Sequence, residues 1–233
     1  MESNTTSERI SIPAAIIVAG ALIAGALLYA FVYVPKQQVA APAAAVQQAS
    51  EKDIPAVSNE DHRRGGSNPK LTLVEYSDLE CPFCSSFHPV INQITEEYGD
   101  QVAWVYRHFP LTQIHAEAFP AAEAAECVAS LKGNDAFWRF IDGVFAGQAT
   151  IGTDLYHALA GKEGIAIAEF DACMNADTHV AKIQQQFNDA VASGGTGTPY
   201  TVILNAEGKT VGAFPGALKY PQMKAQIETL LKQ

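Results

Sequence analysis

Positive charge is scarce in this chain: 15 lysines and arginines stand against 25 aspartates and glutamates, a formal net charge of −10. That deficit argues against nucleic acid as a partner and against anionic lipid bound through a folded surface. Cysteine is sparse too, four in 233 residues, and only Cys81 and Cys84 lie close together. A zinc site wants a second closely spaced pair, and Cys127 and Cys173 are far apart in sequence. The six histidines form no cluster with acids at metal-ligand spacing. No internal repeat is present, which removes solenoids and propellers.

Charge of either sign disappears between Arg9 and Lys36. The run Ile10 to Pro35 exceeds the roughly 20 residues that an α-helix needs to cross a bilayer, and Tyr29 and Tyr33 sit near its far end, where such rings favour the interface. A cleaved signal peptide is the rival reading. Against it, "MESNTTSER" carries two acids to one base, and the nearest small-x-small site, after Ala45, lies well beyond the run. The expectation is a short tail (1–9), a retained single-pass anchor (10–35) and a flexible linker (36–69) rich in Ala, Gln and Pro, with Arg63 and Arg64 as solvated linker charges. Folded sequence is expected from residue 70 onward.

"LTLVEYS" (71–77) is short, β-branched and apolar, as a buried strand requires. The cysteine pair follows in "LECPFCSSF". Phe87, Ile91, Ile94 and Tyr98 then share one face of a helix. Pro82 suits its first turn, and Pro89 should kink it. "QVAWVYRHF" reads as a second strand, and about 115–193 reads as helical almost throughout. "PYTVILN" and "KTVGAF" read as a hairpin, followed by a last helix with Met223, Ile227, Leu230 and Leu231 on one side. Strand, helix, strand implies a parallel crossover. The expected fold class is α/β, one layered sheet with an inserted helical subdomain.

Cys81 falls at the N-terminus of the helix that Pro82 opens. Unpaired N–H groups and the helix dipole stabilise a thiolate there. Cys84 lies one turn inward. The spacing makes Cys81 the exposed attacking sulfur and Cys84 the shielded resolving one. A structural disulfide or a copper- or zinc-binding module remain alternatives for the pair, the latter lacking companion His or Met ligands. Thr198-Pro199, ahead of a strongly apolar strand, admits either a cis bond in a tight turn or an ordinary trans loop end.

Three stretches together carry a resemblance: "GSNPKLTLVEYSDLECPFC", "YRHFPL" followed by "AEAFPAAEAAECV", and "GTGTPYTVILN". From about Gly66 to the C-terminus the chain resembles the DsbA-like branch of the thioredoxin superfamily. The resemblance implies a thioredoxin fold with a helical insertion, a redox-active Cys81–Cys84 pair spanning Pro82 and Phe83, and a cis Pro199 after Thr198 beside it. It also implies a proton-relaying role for Glu75, six residues before Cys81. Strongly oxidising members carry histidine where this chain has Phe83. With Glu80 also opposing a thiolate, a milder oxidant is expected. Cys127 and Cys173 are expected to pair as a structural disulfide in an oxidising compartment, inert buried thiols being the alternative. His88 reads as a surface helix residue, His108 as packing at a strand end.

The functional expectation is a membrane-tethered thiol–disulfide oxidoreductase with its catalytic domain outside the cytoplasm. It would oxidise cysteine-containing exported proteins, need no cofactor, and be reoxidised by the quinone-linked membrane partner that the resemblance implies. The same chemistry run as a reductase or isomerase is the alternative.

Overall fold

The computed structural model describes residues 54–232. The expected tail, the expected anchor and the linker up to residue 53 lie outside the described residues. Among the described residues no helix is long and apolar enough to cross a membrane.

Five strands form one mixed sheet: β1 (His62–Gly65), β2 (Leu71–Ser77), β3 (Val102–His108), β4 (Tyr200–Asn205) and β5 (Thr210–Pro215), in the order β1-β3-β2-β4-β5. Parallel neighbours cannot be joined by a tight turn, so β2 reaches β3 through α1 (Pro82–Tyr98), which runs unbroken through Pro89. β4 lies antiparallel to β2, and β5 closes a hairpin on β4. Between β3 and β4 come α2 (Ala118–Lys132), α3 (Asn134–Ala146), α4 (Thr153–Lys162), α5 (Ile167–Met174) and α6 (Val180–Ala192); α7 (Tyr220–Leu230) ends the chain.

Strand alternation sorts the central residues onto two faces. Leu71 and Leu73 join Trp104, Tyr106, Phe87, Ile91, Ile94, Met223 and Ile227 in the larger core. Val74 and Tyr76 point the other way, into a smaller core with Val105, Val202, Leu204 and Ala190 of α6. Glu75 and Ser77 therefore share the face that α1 covers, the one that holds Cys84. The register sets Glu75 opposite Tyr106 on β3 and Thr201 on β4.

Residues 54–69 belong to the fold and not to a tether. β1 pairs antiparallel with β3 at the sheet edge, and Ile54 is buried in the smaller core. Asp61 holds the buried Arg107 through two bonds, Oδ1 to Nε at 2.8 Å and Oδ2 to Nη2 at 3.0 Å. His62 stacks on Phe137 with 3.5 Å between ring centroids. Arg64 is no solvated charge: it donates to Asn92 at 2.8 Å and to Asp142 at 2.7 Å, and lies 4.5 Å from the Trp138 ring centroid. Gly65 adopts φ +92°, where a Cβ would meet the Thr95 methyl at 2.5 Å and the Val102 carbonyl oxygen at 2.7 Å; only glycine allows β1 so close. His88 is also corrected. It is buried and bonds through Nε2 to Asp142 Oδ1 at 2.7 Å.

Candidate active site

Cys81 caps α1 in an extended conformation, and Pro82 opens the helix. A missing N–H costs nothing at that position. The Cys81 carbonyl accepts the N–H of Ser85 at 3.0 Å, and its own N–H donates to the Asp78 carbonyl at 3.1 Å. Both active-site sulfurs are free thiols in this structure. Cys84 is fully buried. Cys81 was expected to be exposed, yet it is only 3% exposed, because its sulfur lies against the Thr198 carbonyl oxygen at 3.6 Å. Both residues between the two cysteines, Pro82 and Phe83, are exposed.

Acidity, more than exposure, separates the two sulfurs. The Cys84 thiol bonding to Cys81 holds Cys81 down to about 5; burial opposes this, and Thr198 and the backbone N–H groups of Cys84 and Phe83 add to it. Burial pushes Cys84 well above its ordinary value, reinforced by its bond to Cys81 and by the Glu75 charge. Desolvation likewise lifts Glu75 to about 7, with Ser77 and Trp104 acting in the opposite sense. An acidic sulfur, a reluctant one, and a carboxyl that titrates near neutrality beside the reluctant one equip the site for thiol–disulfide exchange.

Thr198-Pro199 is a cis peptide bond, and the loop that carries it enters β4 against Cys81. Cys127 on α2 and Cys173 on α5 are joined as a disulfide, away from the first pair. With His179 they form, among the described residues, a group of three metal-ligating side chains within 4.8 Å of one another, but the two sulfurs are bonded to each other.

Several residues at the site are invisible as a sequence pattern. Gln148, just after α3, donates to the carbonyls of Leu79 and Cys81 at 2.9 and 3.1 Å. The wholly buried Asp78 carboxylate accepts the N–H groups of Glu80 and Leu111 and bonds His115 Nδ1 at 2.8 Å. Glu80 points away from the role expected of it, its carboxylate accepting the N–H of Glu117 at 2.6 Å.

Comparison with known proteins agrees with this geometry. The family model described as Thioredoxin matches residues 57–229. Solved structures of similar fold include Pseudomonas aeruginosa DsbA2, at TM-score 0.62 and 26% identity over 76% of this chain and 98% of that one. Wolbachia pipientis alpha-DsbA1 gives 0.66 and 23%, over 75% and 92%. The catalytic domain of Proteus mirabilis ScsC gives 0.62 and 23%, over 74% and 90%. This chain therefore belongs to the thioredoxin family, and its fold is similar to that of the DsbA-like structures. Curated relatives named Na(+)/H(+) antiporter match part of it: NhaA 1 of Mycolicibacterium gilvum is 37% identical over 129 residues, 55% of this chain and 20% of that protein. NhaA 3 of Salinispora tropica is 40% identical over 95 residues, 41% and 14%. The chain thus spans about a fifth or less of the length of these relatives.

Proposed function

We propose that this protein is a membrane-tethered disulfide donor working outside the cytoplasm, with Cys81 as the exchanging sulfur and Cys84 as the resolving one. A client thiolate attacks Cys81 of the Cys81–Cys84 disulfide, and Cys84 leaves as the thiolate, taking a proton from Glu75. A second client thiolate attacks the client sulfur of the mixed disulfide, so that Cys81 leaves as a thiolate and the client departs oxidised. Two electrons pass to the pair. A quinone-linked membrane partner then takes them back.

What supports the direction is the placement of Cys81 as the N-cap of α1, where the Cys84 thiol and backbone N–H groups surround its sulfur and hold it acidic. A stabilised thiolate stabilises the reduced form, which makes the disulfide the better electron acceptor. It arises here without a histidine at Phe83, first from the Cys84 thiol and then from backbone N–H groups at the helix start. The Cys127–Cys173 disulfide favours an oxidising compartment. The uncharged run 10–35 supports the tether.

A redox titration of the full chain against glutathione tests the direction. The Cys81–Cys84 couple should fall between about −120 and about −180 mV, the range of proteins that donate disulfides. A value near −270 mV would make the protein a reductase. Labelling of Cys81 by a membrane-impermeant maleimide in intact cells tests the side of the membrane.

A further inference from the structure

We propose that His115, carried on the loop between β3 and α2, supplies beside Cys81 the positive charge that the C-x-x-C stretch itself lacks. The inference rests on exchange at Cys81 and not on its direction. It starts from Asp78, whose carboxylate is fully buried and only one hydrogen-bonded peptide link from Cys81, through the 3.1 Å bond between Cys81 N–H and the Asp78 carbonyl. The Asp78 N–H also points at Cys84 Sγ, 3.5 Å away. A buried carboxylate on the residue whose backbone bonds that of Cys81 opposes a thiolate there by like charge. Two backbone N–H groups, of Glu80 and Leu111, satisfy Asp78 in part. The one charged partner in its set of bonds is His115, at 2.8 Å.

The charged groups around His115 come from every side of the site. Asp78 and Glu80 lie on the loop between β2 and α1, Cys81 and Cys84 at the start of α1, and Glu75 below on β2. Glu117 stands before α2, its carboxylate accepting the hydroxyl of Tyr156 on α4 at 2.9 Å. Burial pulls the imidazole down. Its bond to Asp78, and then the charges of Asp78, Cys81 and Glu80, outweigh this and raise it. The His115 side chain keeps 16% of its surface in solvent, so it can take its proton directly from water. An imidazolium there cancels Asp78 and leaves the donors around Cys81 to hold the thiolate. His115 is a positioning residue that acts through charge; no contact with client is required.

Linkage makes the idea testable in the unaltered protein. If His115 favours the Cys81 thiolate, the thiolate favours the protonated His115 by the same amount. Titration of the His115 ring by NMR in the full chain should therefore give a lower midpoint in the Cys81–Cys84 disulfide form than in the dithiol form. Equal midpoints overturn the proposal. Substitution separates charge from structure. His115→Gln keeps a donor for Asp78 without charge, and should raise the Cys81 alkylation midpoint by about one pH unit, about fivefold slower labelling at pH 5. His115→Lys should recover most of that loss. An unshifted midpoint in His115→Gln, or equal losses in both variants, overturns it. A wild-type potential in the reductase range would sink the disulfide-donor reading while leaving these two titrations to judge His115.

Discussion

Cys81 and Cys84 share the first turn of α1, where helix N–H groups and the Thr198 loop gather around one sulfur and burial around the other. Cys127 and Cys173 join α2 to α5 across 46 positions, inside a helical block built from Ala121, Ala124, Ala125, Phe137 and Phe140. A bond across two intervening residues removes little freedom from the unfolded chain, and one across a long loop removes much. The first pair is therefore placed to open and close at little cost to the fold, and the second to stay closed. Sequence spacing sets the entropy, while the helix terminus sets the reactivity.

The sharpest way to break that contrast is to remove each pair. Cys81→Ser should abolish thiol exchange while leaving the fold intact. In the native protein after selective reduction, Cys81 should be alkylated more than about a hundredfold faster than Cys84 at pH 7, since only the thiolate reacts. A Cys127→Ala/Cys173→Ala double variant should keep exchange yet lose about 4 kcal/mol of stability in the chain-entropy picture, read by denaturant unfolding. Comparable alkylation rates for Cys81 and Cys84, or loss of exchange in the double variant at temperatures where it is folded, would erase the distinction.

A second test stays within the reactive pair. Glu75 is lifted to about 7 in the folded protein by burial, against about 4.5 when unfolded. Below pH 4.5 both states hold the proton and stability is unaffected. Between 4.5 and 7 the folded state keeps a proton that the unfolded state releases, so stability falls as pH rises. Above 7 the loss is complete, about 3 kcal/mol. Glu75→Gln should flatten this slope in unfolding measured from pH 5 to 8, and should slow formation of the mixed disulfide, the step in which Cys84 leaves and needs a proton. A wild-type slope that survives the substitution would remove Glu75 as its source.

The same contrast shows what could be read from the sequence. β2, α1 and β4 are long, strongly patterned segments, and the apolar face of α1 follows directly from Phe87, Ile91 and Ile94. β1 was missed because it is four residues, HRRG, with two arginines that look like linker charge. The partners of Arg64, Asn92 and Asp142, are 28 and 78 positions away. The glycine after Arg64 was the available clue, since a close backbone approach calls for glycine as readily as a flexible linker does. At the site, Cys81, Cys84 and Glu75 lie within one contiguous motif. Asp78, His115 and Gln148 gather there only by folding, with 37 positions separating Asp78 from His115 and 67 separating Cys81 from Gln148. No periodicity links such residues.

The smallest expected effect tests how far the two regions act independently. Arg64 on β1 reaches across to Asp142 on α3, at 2.7 Å, and its guanidinium lies over Trp138. Asp142 in turn receives His88 of α1. The pair bridges sheet and helical block, but its side chains are 25% and 41% exposed, so solvent screens much of the attraction. An exposed pair contributes about 0.2–1 kcal/mol, and a guanidinium over an aromatic face adds about 0.5–1 kcal/mol. Arg64→Ala should therefore cost about 1 kcal/mol, less in high salt, with unfolding followed by denaturant at two ionic strengths. Cys81 should keep its alkylation midpoint within about 0.2 pH unit, because its stabilising donors are the Cys84 thiol and backbone N–H groups of α1. A larger movement of that midpoint would mean that the helical block tunes the reactive sulfur through this bridge, and the two regions would have to be treated as one.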